Sequence, residues 1–134
     1  MTNVITESKE SVSAFINELQ SVLRSESFNY LLDLDVLLSK KTDSNNAGYT
    51  TAETLAELGY DNQDICKELL SLTEKDYYQT MIDDRDPTSP MFYVFGKAIQ
   101  TREVYIKVKI RDKVKGKIFC VSFHFARYPM PKQY

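Results

Sequence analysis

Near the end of the chain a phenol, an imidazole and a series of cations fall at positions that one sheet face would share. In residues 103–110, Val104, Ile106, Val108 and Ile110 point one way. Tyr105, Lys107 and Lys109, continued by Arg111, point the other, which is the two-residue period of a strand. In residues 118–125, Phe119, Val121, Phe123 and Phe125 form the apolar side and leave Cys120, Ser122 and His124 opposite. A hairpin closed over Lys113-Val114-Lys115-Gly116 sets Tyr105 across from His124 and Lys107 across from Ser122. Such a face suits tight binding, or metal-free cleavage, of a phosphodiester. Cleavage through a neighbouring 2′-hydroxyl needs a base for its proton, an acid for the leaving oxygen and positive charge against the phosphorane.

Each group also has a plainer reading. A lone histidine beside phenylalanines serves equally as a half-exposed surface residue. A strand tyrosine packs its ring and leaves its hydroxyl wet. Lysines at alternating positions keep a sheet edge from pairing with other strands. Tyr77, Tyr78, Phe92, Tyr93 and Phe95 offer rings for stacking on unpaired bases, and at least three of the five are expected in the core.

The elements that must position these groups are legible in outline. Over residues 8–24, Val12, Phe15, Ile16, Leu19, Val22 and Leu23 recur at three and four, an amphipathic helix. Residues 28–38 are denser in leucine and read as a second, buried helix, with a strand as the alternative at that length. Residues 40–48 (KKTDSNNAG) form a loop. Thr50 and Glu53 make a capping box for a helix through Leu55 and Leu58 that stops at Gly59. Asp61 caps a third helix that buries Ile65, Cys66, Leu69 and Leu70. Residues 72–81 lie between helical turn and strand, 83–90 are a loop, and 91–97 are a short aromatic strand ending at Gly96. Helices followed by three or four antiparallel strands make an α+β domain.

The formal charge of −2 conceals a polarised distribution. Residues 1–96 hold 7 Lys+Arg against 17 Asp+Glu, and residues 97–134 hold 10 against 2. The difference predicts either a basic, anion-binding surface on the last strands or two halves that attract each other. The acidic helices then suit a basic protein segment, or plain solvent, better than RNA. Cys66 and Cys120 stand far apart and outside any Cys-x-x-Cys pair, so both are expected reduced and partly buried. With one histidine in the chain, a four-ligand zinc site is hard to assemble. No cofactor is implied. Neither a signal peptide nor a membrane span is read, which predicts a soluble, cytoplasmic protein.

The same segments carry a resemblance. Thr50-Thr51, Leu55, Leu58-Gly59-Tyr60-Asp61 and Ile65-Cys66 come first. Residues 72–81 (LTEKDYYQTM) follow, then Glu103-Val104-Tyr105-Ile106-Lys107 and Val121-Ser122-Phe123. In this order and spacing, residues 50–123 resemble the MqsR family of bacterial toxin–antitoxin toxins, within the wider RelE-like fold. The resemblance implies a ribosome-independent endoribonuclease acting on single-stranded mRNA and held inactive by a cognate antitoxin. It also implies N-terminal helices packed on a small antiparallel sheet. The family's active face carries a lysine where this chain has Gln79, a tyrosine kept as Tyr105, and a lysine where this chain has His124. A family glutamine falls near Phe92 or Tyr93.

On that face His124 takes the base or acid role, because an imidazole of ordinary pKa, about 6.5, titrates close to operating pH. Tyr105 donates to a phosphate oxygen or positions the hydroxyl, and Gln79 orients the 2′-hydroxyl. Lys107, Lys109 and Arg127 supply positive charge, and Tyr93 offers a stacking ring. The expected layout is a single domain over 1–134, with a helical extension over 1–48 and an MqsR-like core over 49–128. The alternative is a catalytically inactive module that binds RNA or protein on the same fold.

Overall fold

In the computed structural model, residues 3–38 and 47–134 are described. The first helix, α1 (Lys9–Arg24), follows a two-residue strand, β1 (Val4–Ile5). Ser8 caps α1 by accepting from the Ser11 N–H, and Val12, Ile16, Leu19 and Leu23 are its buried stripe. Gln20, on the same helix, donates its carboxamide to the carbonyls of Leu69, Leu70 and Leu72. Leu69 and Leu70 end the third helix, where the last carbonyls have no partner in the next turn, and Leu72 lies just beyond it.

Residues 28–38 do not form the second helix. Their only regular part is β2 (Leu34–Val36), and Leu31 and Leu32 are 70% and 76% exposed. Local polar groups decide the matter. The Asn29 side chain accepts from the Leu31 and Leu32 N–H groups, and the Asp33 carboxylate accepts from the Asn29 N–H. Side-chain bonds of this kind hold backbone donors in a turn rather than a helix. The loop expected over 40–48 lies outside the described residues except for its last two.

The two following helices form as their caps predict. In α2 (Thr51–Leu58) the Thr50 hydroxyl accepts from the Glu53 N–H, and the helix ends at Gly59 with φ +71°, a left-handed conformation that glycine adopts without penalty. In α3 (Asn62–Leu70) Asp61 and Asp64 exchange side-chain-to-backbone bonds, and Ile65, Cys66 and Leu69 are buried. A single 3₁₀ turn, Glu74–Asp76, leads into β3 (Tyr77–Met81). Three longer strands complete the chain: β4 (Phe92–Ile99), β5 (Arg102–Asp112) and β6 (Lys117–Phe125). Strand β4 runs past Gly96 rather than ending there.

The sheet has six strands in the order β1-β3-β4-β5-β6-β2, and β2 lies parallel to β6 while the other pairs are antiparallel. It is therefore a mixed sheet, not the three- or four-stranded antiparallel one expected. The two added strands are too short to show a period in sequence. One face is covered by α1 and α3 over a core that includes Phe95, Val104, Ile106 and Phe123. Among the described residues, no helix is long and apolar enough to cross a membrane.

Helix α2 lies against β6. Beyond β2, the Phe123 and Phe125 N–H groups of β6 are accepted by the buried hydroxyls of Thr51 and Thr54, at 3.1 and 3.0 Å. An unpaired strand edge is thus closed by threonines instead of another strand.

A bulge alters the parity expected of β6. Lys107 pairs with Ser122 but Val108 pairs with Cys120, which leaves Val121 as the extra residue. Everything before the bulge changes face. Cys120, expected on the polar face, is wholly buried in the core, and Phe119 turns to the open face, where its ring meets Phe92 edge-on at 5.8 Å. Phe123, Phe125, Ser122 and His124, beyond the bulge, keep the faces their alternation predicts.

Candidate functional site

The face of the sheet away from α1 carries the predicted groups in register. Tyr105 pairs with His124 across β5 and β6, and opposes Gly96 on β4. One row along, Lys107 pairs with both Ser122 and Val94, and Val94 in turn pairs with Gln79 of β3. Directly paired residues of an antiparallel sheet project to the same side, so Gln79, Lys107, Tyr105 and His124 share one face. The bulge in β3 at Tyr78 is what brings Gln79 into this row.

The Tyr105 and His124 rings stack at 5.0 Å between centroids and 8° between planes. The His124 Nδ1 lies 3.1 Å from the Phe125 carbonyl oxygen. A carbonyl only accepts, so in this bond Nδ1 is the donor. The Tyr105 hydroxyl contacts the Met81 sulfur at 3.8 Å, a weak acceptor. Burial, and then the nearby Tyr78 phenol, push the Tyr105 pKa up. Tyr105 is therefore a hydrogen-bond donor at neutral pH and not a base.

The cations divide. The Lys107 ammonium lies 5.0 Å from the Phe92 ring centre, on the open face. Arg127, exposed, sets its guanidinium 5.5 Å from the Tyr49 ring and 5.6 Å from the Tyr128 ring. Lys109 is internal: its side chain is 5% exposed and its ammonium donates to Asp83 Oδ2 at 2.8 Å and Ser89 Oγ at 3.1 Å. Lys109, expected among the RNA-binding cations, is thus held by an ion pair beneath the 83–90 loop, which a phosphate would have to displace.

Tyr93, expected to offer a stacking ring, does not join this group. It lies on the opposite face, stacked on Phe15 of α1 at 3.9 Å, away from Tyr105 and His124. Of the five aromatic residues that could stack on bases, Tyr77, Phe92 and Phe95 are buried.

The charge asymmetry is mostly resolved within the molecule. Lys97, Arg102, Lys109, Arg111, Lys113 and Lys117 pair with Glu68, Glu57, Asp83, Asp35, Glu18 and Asp33, all from the acidic first part of the chain. Of the two expectations, mutual attraction of the halves accounts for most of these lysines among the described residues, while Lys107 lies on the open face and Arg127 is exposed.

Sequence reasoning missed the segment after β6. From Ala126 it turns back across the open face to the outer edge of β3. There Gln133 donates through its N–H to the Tyr77 carbonyl, and through its carboxamide to the Tyr78 carbonyl. Lys132 pairs with Glu103 at 2.6 Å, and Met130 is 7% exposed. Gly96 makes the crossing possible, since a Cβ there would lie 2.9 Å from both the Met130 sulfur and the Lys132 ammonium. The segment walls a cavity of about 230 Å³ together with Tyr78, Tyr105 and His124. A larger cleft of about 480 Å³, between α1 and the β5–β6 turn, holds none of the predicted site residues.

The model for a family described as motility quorum-sensing regulator, toxin of MqsA, matches residues 30–125, more than two thirds of the chain. No curated protein matches the chain significantly.

Proposed function

Because this chain belongs to the MqsR toxin family, and so is the toxin of a toxin–antitoxin pair, we propose that it is an endoribonuclease that cleaves single-stranded mRNA without a metal ion. It acts in the cytoplasm and is neutralised by a cognate antitoxin. The helices backing a sheet are in keeping with a RelE-like arrangement. The observation that carries the reading is the in-register stacking of Tyr105 on His124, with Lys107 one row away on the same face.

In this mechanism His124 Nε2 takes the proton of a ribose 2′-hydroxyl that Gln79 helps to orient. The 2′-oxygen bonds to phosphorus, the bond from phosphorus to the 5′-oxygen breaks, and the Lys107 ammonium supplies the proton to the departing oxygen. Tyr105 donates to a non-bridging phosphate oxygen, and Arg127 adds charge where the phosphorane develops. The products are a 2′,3′-cyclic phosphate and a 5′-hydroxyl.

The test is incubation of purified protein with end-labelled single-stranded RNA in the presence of a chelator, followed by end-group analysis. Cleavage leaving cyclic phosphate ends is expected. Loss of cleavage on chelation, or 3′-hydroxyl ends, overturns the mechanism. A binding module without turnover is the second reading. It is favoured by Gln79 and His124 standing where the family has lysines, and it is identified by RNA binding with no cleavage.

A further inference from the structure

We propose that the cavity between the Tyr105–His124 pair and the 126–130 segment is a nucleobase subsite, seating one base of single-stranded RNA beside the scissile phosphate. The inference rests on the ribonuclease reading above and adds to it a place where sequence is selected.

Four observations support it. First, the walls are Tyr78, Tyr105, His124 and Tyr128, completed by Pro129 and Met130, so the lining is mostly apolar and rich in flat rings. Second, its volume, about 230 Å³, lies below the ~300–1,000 Å³ of sites for drug-sized ligands, and suits one planar ring system without its sugar and phosphate. Third, Arg127 stands on the same segment with its guanidinium by the Tyr128 ring, which places a phosphate-binding cation at the rim of an apolar slot. Aromatic platforms with a basic edge are how single strands are held when bases are unstacked. Fourth, Tyr128 is 71% exposed, so its ring is not needed for the core and is placed to close over a base.

The cavity adjoins the proposed reacting groups directly. Tyr105 and His124 both line it while also forming the stacked pair. A base seated there would hold its own ribose and phosphate at the two polar atoms, Tyr105 Oη and His124 Nε2. The Tyr105 hydroxyl, whose acceptor is otherwise the Met81 sulfur, would also gain a base or phosphate oxygen as a better one. Because the segment from Ala126 onward supplies half the wall, preference for a base would belong to that segment and not to the sheet.

The experiment uses the full chain and a dinucleotide carrying 2-aminopurine, with a 2′-O-methyl group that prevents cleavage. Stacking in the cavity should quench the fluorescence, Tyr128→Ala should weaken binding about 5- to 150-fold, and Tyr128→Phe should retain it. In parallel, a random-sequence RNA is cleaved and the bases flanking the cuts are counted. The parent should prefer certain bases on one side of the cut, and Tyr128→Ala should lose that preference and raise KM more than it lowers kcat. A parent that cleaves RNA while Tyr128→Ala keeps the same base profile and dinucleotide affinity overturns the subsite and leaves the ribonuclease standing. A parent that quenches the dinucleotide but cleaves nothing overturns the ribonuclease and leaves a base-binding site. If Tyr128→Ala changes only neutralisation by the antitoxin, the cavity receives a protein side chain and the inference fails.

Discussion

Tyr105 and His124 face each other across β5 and β6 with their rings 5.0 Å apart and within 8° of parallel. Each ring fixes the other, and the Phe125 carbonyl fixes the imidazole a second time through Nδ1. A histidine held by a neighbour's face and by one nitrogen has a fixed ring orientation. That is the geometric requirement for proton transfer.

His124→Ala should therefore lower kcat for RNA cleavage by about 10²–10⁴-fold with no loss of fold. His124→Lys restores the family's residue and should recover part of the rate with a higher pH optimum, since lysine's ordinary pKa is about 10.4 against about 6.5 for histidine. Tyr105→Phe keeps the ring and loses one donor, so its effect should be smaller than that of His124→Ala. Steady-state rates across pH on the three variants, with circular dichroism for folding, decide the matter. An alanine variant as fast as the parent removes His124 from catalysis.

Asp83 and Lys109 form a pair whose lysine is internal, and breaking one side should cost more than removing the charge altogether. The Lys109 ammonium beside Asp83 holds its carboxyl below the ordinary carboxylate range. A depressed pKa gives stability that is present above the unfolded value and lost as pH falls through the folded one, so the pair weakens in acid. Asp83→Ala leaves a buried cation and should destabilise the fold by about 3 kcal/mol, whereas replacing both partners, Lys109→Met together with Asp83→Leu, should be within about 1 kcal/mol of the parent. Urea unfolding at neutral and acid pH measures both. Equal costs would mean that the lysine is hydrated.

The sequence made the caps and the alternation legible, because both are local. Thr50, Asp61 and Gly59 act where their side-chain chemistry places them, and the pairing of Tyr105 with His124 follows from a short turn and a period of two. What was not legible depends on partners far along the chain. The Val121 bulge reverses Cys120 and Phe119, β2 exists only because β6 offers an edge, and Lys109 is internal only because Asp83 covers it. Thr51 and Thr54 look like ordinary helix residues until β6 requires acceptors for two N–H groups. At the site, Gln79, Tyr105, Lys107 and His124 come together, Arg127 stands at the cavity rim, and Tyr93 and Lys109 do not join them.

Internal pairing of the lysines changes what salt should do. If Lys107 and Arg127 each meet one phosphate, single-strand binding should show a logarithmic salt slope of about −1.4, at about 0.7 per phosphate. A fluorescence titration of an oligonucleotide from 50 to 300 mM salt gives the slope. Lys107→Ala should remove about half of it. A slope several times steeper would show that paired cations such as Arg111 and Lys117 open to bind the strand.

The last prediction concerns Gly96, which is glycine because the chain crosses over it. A Cβ at this position would lie 2.9 Å from the Met130 sulfur and the Lys132 ammonium and 3.2 Å from the Glu103 carboxyl carbon. All three atoms lie near the ends of side chains and none is backbone, so the sheet itself need not move. The crossing segment must lift, and the Lys132–Glu103 pair, which is partly exposed, is worth at most about 1 kcal/mol. Gly96→Ala should then cost no more than about 1–2 kcal/mol in global stability, while hydrogen exchange at Gln133 rises as its bond to the Tyr77 carbonyl is lost. Base preference in cleavage should weaken as it does in Tyr128→Ala, with kcat on a short unstructured RNA nearly unchanged. Unaltered exchange at Gln133 together with unaltered base preference would mean that the segment adapts in place and that its position over Gly96 does not shape the site.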